Sequence, residues 1–250
     1  MNDFRDYRLN SSQTHVWYSD IKTHRLRNLE NYLSRDELER AGRYRLETDF
    51  TRFVVARAML RIVLSHYLDL KASDILFDSD LYGKPRLKGG SANSLQFNVS
   101  HSGDKVVMAL VHGKRVGVDV EQVDAAIAGL ELARQNFSLR EVVDIEESPD
   151  EEKAKMFYRI WTRKEALLKA MGIGLGGLSK DLCLVHGGDI FLDDTQWEVM
   201  DLYFAPGYAA ALAVEGAICD LQIRAADSLF LEDENSLFVD VNQLNTESGR

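Results

Sequence analysis

A pattern that occurs twice constrains this chain more than any other feature. The helical stretch from Phe53 to Arg57-Ala58-Met59-Leu60-Arg61 lines up with Trp161 to Glu165-Ala166-Leu167-Leu168-Lys169. Each is followed by an apolar strand that stops at a glycine, MALVHG at 108–113 and ALAVEG at 211–216. Repetition in the same order predicts two α+β halves, each of ordinary domain size. The expected division is an N-terminal half over 1–105, a C-terminal half over 106–225 and an acidic extension over 226–250. With 250 residues and 45% apolar side chains, the chain can bury a core in both halves.

Charge excludes several function classes. Thirty basic residues against 40 acidic ones give a formal charge of −10. An acidic whole argues against a protein that coats nucleic acid or an anionic membrane. No run approaches the ~18 apolar residues of a membrane span. The opening MNDFRDYRLN lacks the apolar centre of a secretion signal. Cys183 and Cys219 make neither a disulfide framework nor a CxxC pair, so a cytoplasmic protein is expected.

The total hides local bias. Residues 226–250 hold six acids and one arginine, half of the net charge. A solvated acidic tail is expected there, with DSLFLEDENSLFVDV as a peripheral strand or short helix. Residues 35–61 hold seven arginines against five acids, and from Asp49 the apolar residues recur at the spacing of an amphipathic helix. Its arginines either snorkel into water or gather an anion.

A turn at LYGKP (81–85) and a loop at KGGSANS (88–94) precede strand material. LQFNVSHS (95–102) leads into VVMALVHGKRVGVDVEQV (106–123), two apolar runs around a tight HGKR turn. A helix over 154–171 follows the acidic EESPDEEK, and Gly172, Gly174, Gly176 and Gly177 end it. Further strands are predicted around 182–185, 197–204 and 208–219.

Three segments carry residue types that a strand or helix does not need. In VGVDVEQV, alternation sends Asp119 and Glu121 to the face opposite Val118 and Val120. The pair is either a wet acidic face or two carboxylates reaching one hard cation such as Mg²⁺. In the 154–171 helix, Trp161, Glu165 and Lys169 share one stripe, either as an ordinary surface ion pair or as part of a site. In FNVSHSGD (97–104), Ser100 and His101 end a strand beside a glycine turn, where hydroxyl, imidazole and backbone N–H groups suit phosphate oxygens. No GxSxG elbow and no paired Cys/His spacing supports a serine hydrolase or a zinc site.

LYGKP, FNVSHSGD, VGVDVE and FYRIWTRKEALLKAMGIGL, in that order, resemble the 4′-phosphopantetheinyl transferase family, of the larger Sfp type. The resemblance spans residues 34–180 well and the remainder more loosely. It implies two similar α+β halves related by a pseudo-two-fold, with coenzyme A between them. It implies transfer of the 4′-phosphopantetheine arm of coenzyme A to a serine hydroxyl of an apo acyl or peptidyl carrier protein, releasing adenosine 3′,5′-bisphosphate. Asp119, Glu121 and Glu165 would hold Mg²⁺, and Glu165 would act as general base, with Lys169 and Asp119 the other catalytic residues. Lys84, Pro85, Ser100, His101, Arg52 and Lys169 would bind coenzyme A, with Arg40 a weaker phosphate candidate. Relatives often carry lysine where this chain has Glu37, and Glu141 falls at the place of a family acidic residue. A monomer is expected, because one chain supplies both halves. The same groups leave room for an Mg²⁺-dependent hydrolase of coenzyme A or a related nucleotide, or for a carrier-binding module without chemistry.

Overall fold

The computed structural model of the protein describes residues 7, 9–23, 29–79, 84–91, 94–126, 129–173, 180–227 and 229–230. Two four-stranded sheets lie at its centre. The first runs β10-β1-β5-β4, from β1 (Thr14–Asp20), β4 (Leu95–Ser102), β5 (Lys105–His112) and β10 (Leu221–Ala225). The second runs β6-β9-β8-β7, from β6 (Val116–Gln122), β7 (Gly188–Leu192), β8 (Thr195–Asp201) and β9 (Tyr208–Glu215). A short antiparallel pair, β2 (Phe77–Ser79) and β3 (Pro85–Leu87), stands apart from both.

The two predicted runs around HGKR are strands, but they do not pair. β5 pairs antiparallel with β1 and β4, while β6 pairs antiparallel with β9. The turn therefore carries the chain from one sheet to the other. The β4–β5 hairpin spans residue 105, and the chain passes from the first sheet to the second between β5 and β6. β10 returns from the second half to run parallel to β1. Ala226, Leu229 and Phe230 then bury into the core of the first half, which gives the start of the acidic extension a packing role. The rest of that extension, the first three residues of LYGKP and the glycines at 174, 176 and 177 lie outside the described residues.

Five α-helices are found among the described residues: α1 (Arg35–Ala41), α2 (Glu47–Leu68), α3 (Leu130–Asn136), α4 (Leu139–Glu147) and α5 (Asp150–Met171). α2 departs from the amphipathic expectation. Residues Val54 to Leu64 are buried in nearly unbroken succession, because the first sheet covers one side while Leu29, Tyr32, Leu229 and Phe230 join the same core. α5 fits its prediction better. Phe157, Ile160, Leu167 and Leu168 are buried, and Gly172 closes the helix in the left-handed region at φ 72°.

No strand forms at 182–185. That segment is held by side chains instead: Arg163 donates to the carbonyls of Leu184 and Val185, and Lys164 to that of Leu182 at 2.7 Å. β8 stops at Asp201 and β9 at Glu215, short of the expected ends. Among the described residues no helix is long and apolar enough to cross a membrane.

Candidate active site

The two sheets meet edge to edge along β4 and β6, and side chains join them. Asn98 Oδ1 accepts the Val118 N–H at 2.9 Å. Ser100 donates to Asp119 Oδ1 at 2.8 Å, and Ser102 to Glu121 Oε2 at 2.6 Å. The polar residues of FNVSHS fall at every second position because one face of β4 forms this seam. Asn98 is not among the residues singled out from the sequence, and that alternation is the signal that marks it; Ser102, expected in the turn, ends the strand and serves the same seam.

Above the seam lies α5. A Cβ on Gly117 would overlap the Ala166 carbonyl oxygen and the Ala170 backbone nitrogen, so only glycine lets the helix approach this strand. That approach brings Lys169 Nζ to 2.6 Å from Asp119 Oδ1 and 3.0 Å from Ser100 Oγ. Asp119 is therefore buried at the seam, 3% exposed, and no part of a wet acidic face.

One cavity of about 300 Å³ is lined by Ser100, His101, Asp119, Glu121, Trp161, Glu165 and Lys169. The structure thus brings together the predicted carboxylates, the lysine and the Ser-His pair. Trp161 stacks on Phe157 at 5.9 Å and supplies an apolar wall. Burial, then the charges of Asp119 and Glu121, push the Glu165 carboxyl up to about 7, against the pull of Lys169. Burial also raises Glu121, opposed by the Ser102 hydroxyl. Asp119, Glu121 and Glu165, gathered on one cavity, are a donor set for a hard cation. As they stand, no three such groups among the described residues are gathered closely enough to ligate an ion. Asp119 Oδ2, however, is buried without a hydrogen-bond partner, which fits a metal-facing oxygen.

Arg52 extends from α2 to the turn between β4 and β5, and the structure does not place it in the lining of this cavity. Its Nε donates to the Gly103 carbonyl at 3.1 Å, and its NH1 pairs with Asp49 at 2.9 Å. Packing around the His101 ring, followed by the Arg52 guanidinium, draws that imidazole below its ordinary value although one edge stays open to solvent. Lys84 and Pro85 are placed elsewhere. They line a neighbouring cleft with Arg115 and Met171, and Lys84 Nζ donates to the carbonyls of Val116 at 3.0 Å and Lys169 at 2.7 Å. Arg40 lies over the Phe53 ring, 5.3 Å from its centroid.

Two acids left open by the sequence have structural partners. Glu37 closes the capping box of α1 with Ser34 and pairs with Arg61 at 2.8 Å. Glu141 is fully buried; it caps α4 with Ser138, pairs with Lys164 at 3.0 Å and accepts the Leu184 N–H at 2.7 Å.

Residues 115–213, which carry the carboxylates and Lys169, match the model of the 4′-phosphopantetheinyl transferase superfamily. Residues 18–112 match that of the 4′-phosphopantetheinyl transferase N-terminal region. The 4′-phosphopantetheinyl transferase HetI of Nostoc sp. is 34% identical over 211 residues, covering 82% of this chain and 89% of the relative. This chain belongs to the 4′-phosphopantetheinyl transferase family. As a member it is an enzyme of the transferase class. The 4′-phosphopantetheinyl transferase Sfp of Bacillus subtilis is 31% identical over 58% of this chain and 62% of its own length. The L-aminoadipate-semialdehyde dehydrogenase-phosphopantetheinyl transferase of Homo sapiens is 31% identical over 56% and 48%. The boundary between the two family matches falls at 113–114, the same turn that separates the sheets.

Proposed function

We propose that the protein transfers the 4′-phosphopantetheine arm of coenzyme A to a serine hydroxyl of an apo acyl or peptidyl carrier protein, with Mg²⁺ as cofactor. The observation that carries this reading is the cavity in which Asp119, Glu121 and Glu165 face Lys169, Ser100 and His101. Asp119, Glu121 and Glu165 would hold the metal, whose chemistry is to neutralise charge on the pyrophosphate as it parts.

Each step then falls to a residue of this chain. His101 and Arg52, with Ser100 at the seam, bind phosphate oxygens and fix the substrate's position. Lys169 stabilises the charge that develops on the leaving side. Glu165, raised to about 7, takes the proton from the incoming serine hydroxyl, directly or through a water. The serine oxygen bonds to the phosphorus that bears the pantetheine arm. The bond from that phosphorus to the bridging oxygen breaks, and adenosine 3′,5′-bisphosphate leaves. Lys84 and Pro85, on the neighbouring cleft, are assigned to the nucleotide end of coenzyme A. We read the two halves, each with a 22-residue helix and a four-stranded sheet, as related by a pseudo-two-fold, and the enzyme as a cytoplasmic monomer.

Incubation with coenzyme A, Mg²⁺ and a panel of apo carrier proteins tests the reading. The expected result is a mass gain of one phosphopantetheine arm on a carrier. Release of the nucleotide at full rate without any carrier would mean that water, not serine, is the acceptor.

A further inference from the structure

β4 and β6 lie edge to edge in different sheets, and side chains of β4 make the bonds between them. Within that seam the two carboxylates of β6 are held in the same manner, each by one oxygen. Asp119 Oδ1 accepts from Ser100 and Lys169, which leaves Oδ2 buried without a partner. Glu121 Oε2 accepts the Ser102 hydroxyl at 2.6 Å. Among the described residues that hydroxyl is the one hydrogen-bond donor the Glu121 carboxylate meets.

Ser102 is itself fixed from several sides. Its Oγ accepts the Gln122 N–H at 3.1 Å, so the hydroxyl proton is left for the Glu121 carboxylate. Its backbone pairs with Lys105 at the closed end of the β4–β5 hairpin. The turn that follows fits tightly under the second sheet. A Cβ on Gly103 would overlap Gln122 Oε1 and the Tyr208 hydroxyl, and the Asp104 N–H donates to that hydroxyl at 3.0 Å. Ser102 is not among the residues lining the cavity, so it acts on the site only through Glu121. A glutamate has three side-chain torsions to fix before it can ligate, and a bond to one carboxylate oxygen removes part of that freedom before an ion arrives.

We propose that Ser102 is a positioning residue that presets Glu121 for a hard divalent cation and thereby sets the Mg²⁺ affinity of the protein. The proposal rests on the transferase reading above, in which Asp119, Glu121 and Glu165 hold the metal. A hydroxyl that binds one oxygen of a ligating carboxylate orients the group and leaves the other oxygen for the ion. The hydroxyl comes from the first sheet and the carboxylate from the second, so the cation site is complete only while the seam between them is closed.

Calorimetric titration of Mg²⁺ into the full chain saturated with coenzyme A tests this, together with carrier transfer measured over a range of Mg²⁺ concentrations. Ser102→Ala is expected to weaken Mg²⁺ binding by about 10–100-fold and to raise the Mg²⁺ concentration for half-maximal transfer by the same factor. The maximal rate should fall by less than the affinity, because at saturation the ion itself holds Glu121. Ser102→Thr keeps the hydroxyl on a side chain suited to a strand and should hold the affinity near that of the wild type. A Ser102→Ala protein that melts lower in chelator but binds Mg²⁺ as the wild type does overturns the role of Ser102 and leaves the transferase reading standing. A wild type that transfers the arm without binding Mg²⁺ overturns the metal assignment and this proposal with it. Absence of both binding and transfer in the wild type overturns the transferase reading as well.

Discussion

Lys169 Nζ stands 2.6 Å from Asp119 Oδ1, and Ser100 donates to that same carboxylate oxygen. Three elements, α5, β6 and β4, are joined at this one atom. Asp119→Asn keeps the volume and removes the charge that holds the ammonium. Lys169 is 29% exposed and can turn toward water, so the fold survives. Transfer is expected to fall by at least about 10²–10³-fold, with an unchanged far-UV spectrum. Mass-shift assay of a carrier protein checks it, and wild-type turnover would remove Asp119 from the chemistry.

Glu165 is placed where its charge is disfavoured, and that gives a stability signature. Its folded value, about 7, lies above its ordinary value of 4.5. The folded chain therefore keeps a proton that the unfolded chain releases. Without metal, stability falls as pH rises from about 4.5 through about 7, then levels off. Glu165→Gln removes this penalty. At pH 8 the variant should be more stable by on the order of 1 kcal/mol, allowing for the group's partial exposure to solvent, or about 2–4 °C in Tm. At pH 4.5 the two proteins should melt together, and the variant should transfer nothing. Thermal melts in chelator at both pH values decide it; a variant that melts lower at pH 8 contradicts the charge argument.

Glu141 performs structural work at a position where a functional acid could be read. It is fully buried and serves Ser138, Lys164 and Leu184 at once. Glu141→Ala leaves a buried ammonium uncompensated and a cap unmade, a loss of about 3–5 kcal/mol. Hydrogen exchange offers a local readout: the Leu184 amide should lose protection more than the amides of β9. Equal protection at Leu184 in both proteins would show that the segment is held by other contacts.

The candidate site is legible in the sequence where it follows a period. Alternation in VGVDVE placed Asp119 and Glu121 together, and helical spacing placed Trp161, Glu165 and Lys169 on one stripe facing them. What could not be read was partner choice between distant segments. β5 and β6 look like a hairpin, but the strands join different sheets, and β10 returns to β1 from about 200 residues away. β1 itself was hidden because buried His15 and Ser19 interrupt its apolar pattern. In the sequence the arginines of α2 look like a solvent face. Arg61 is instead 3% exposed and satisfied by Glu37 and two carbonyls. Lys84 is a similar case, since the backbone acceptors it reaches lie more than 30 residues away in sequence.

Gly117 joins the fold to the site, and its substitution separates packing from chemistry. No side chain sits between β6 and α5 at this point, and the atoms a Cβ would meet are backbone, which cannot rotate aside. Gly117→Ala therefore forces α5 away from the strand, at a cost of about 1–3 kcal/mol or somewhat more, lowering Tm by several degrees. The displacement acts on Ala166 and Ala170, which bracket Lys169 in the same turn. Moving that turn lengthens the Lys169–Asp119 contact and carries Glu165 with it. Transfer should consequently drop by about 10²-fold even at temperatures where the variant remains fully folded. Carrier assays well below the melting point, compared with the melt itself, check both parts. A variant that melts early yet transfers at the wild-type rate would show that the reacting groups tolerate a shift of the helix.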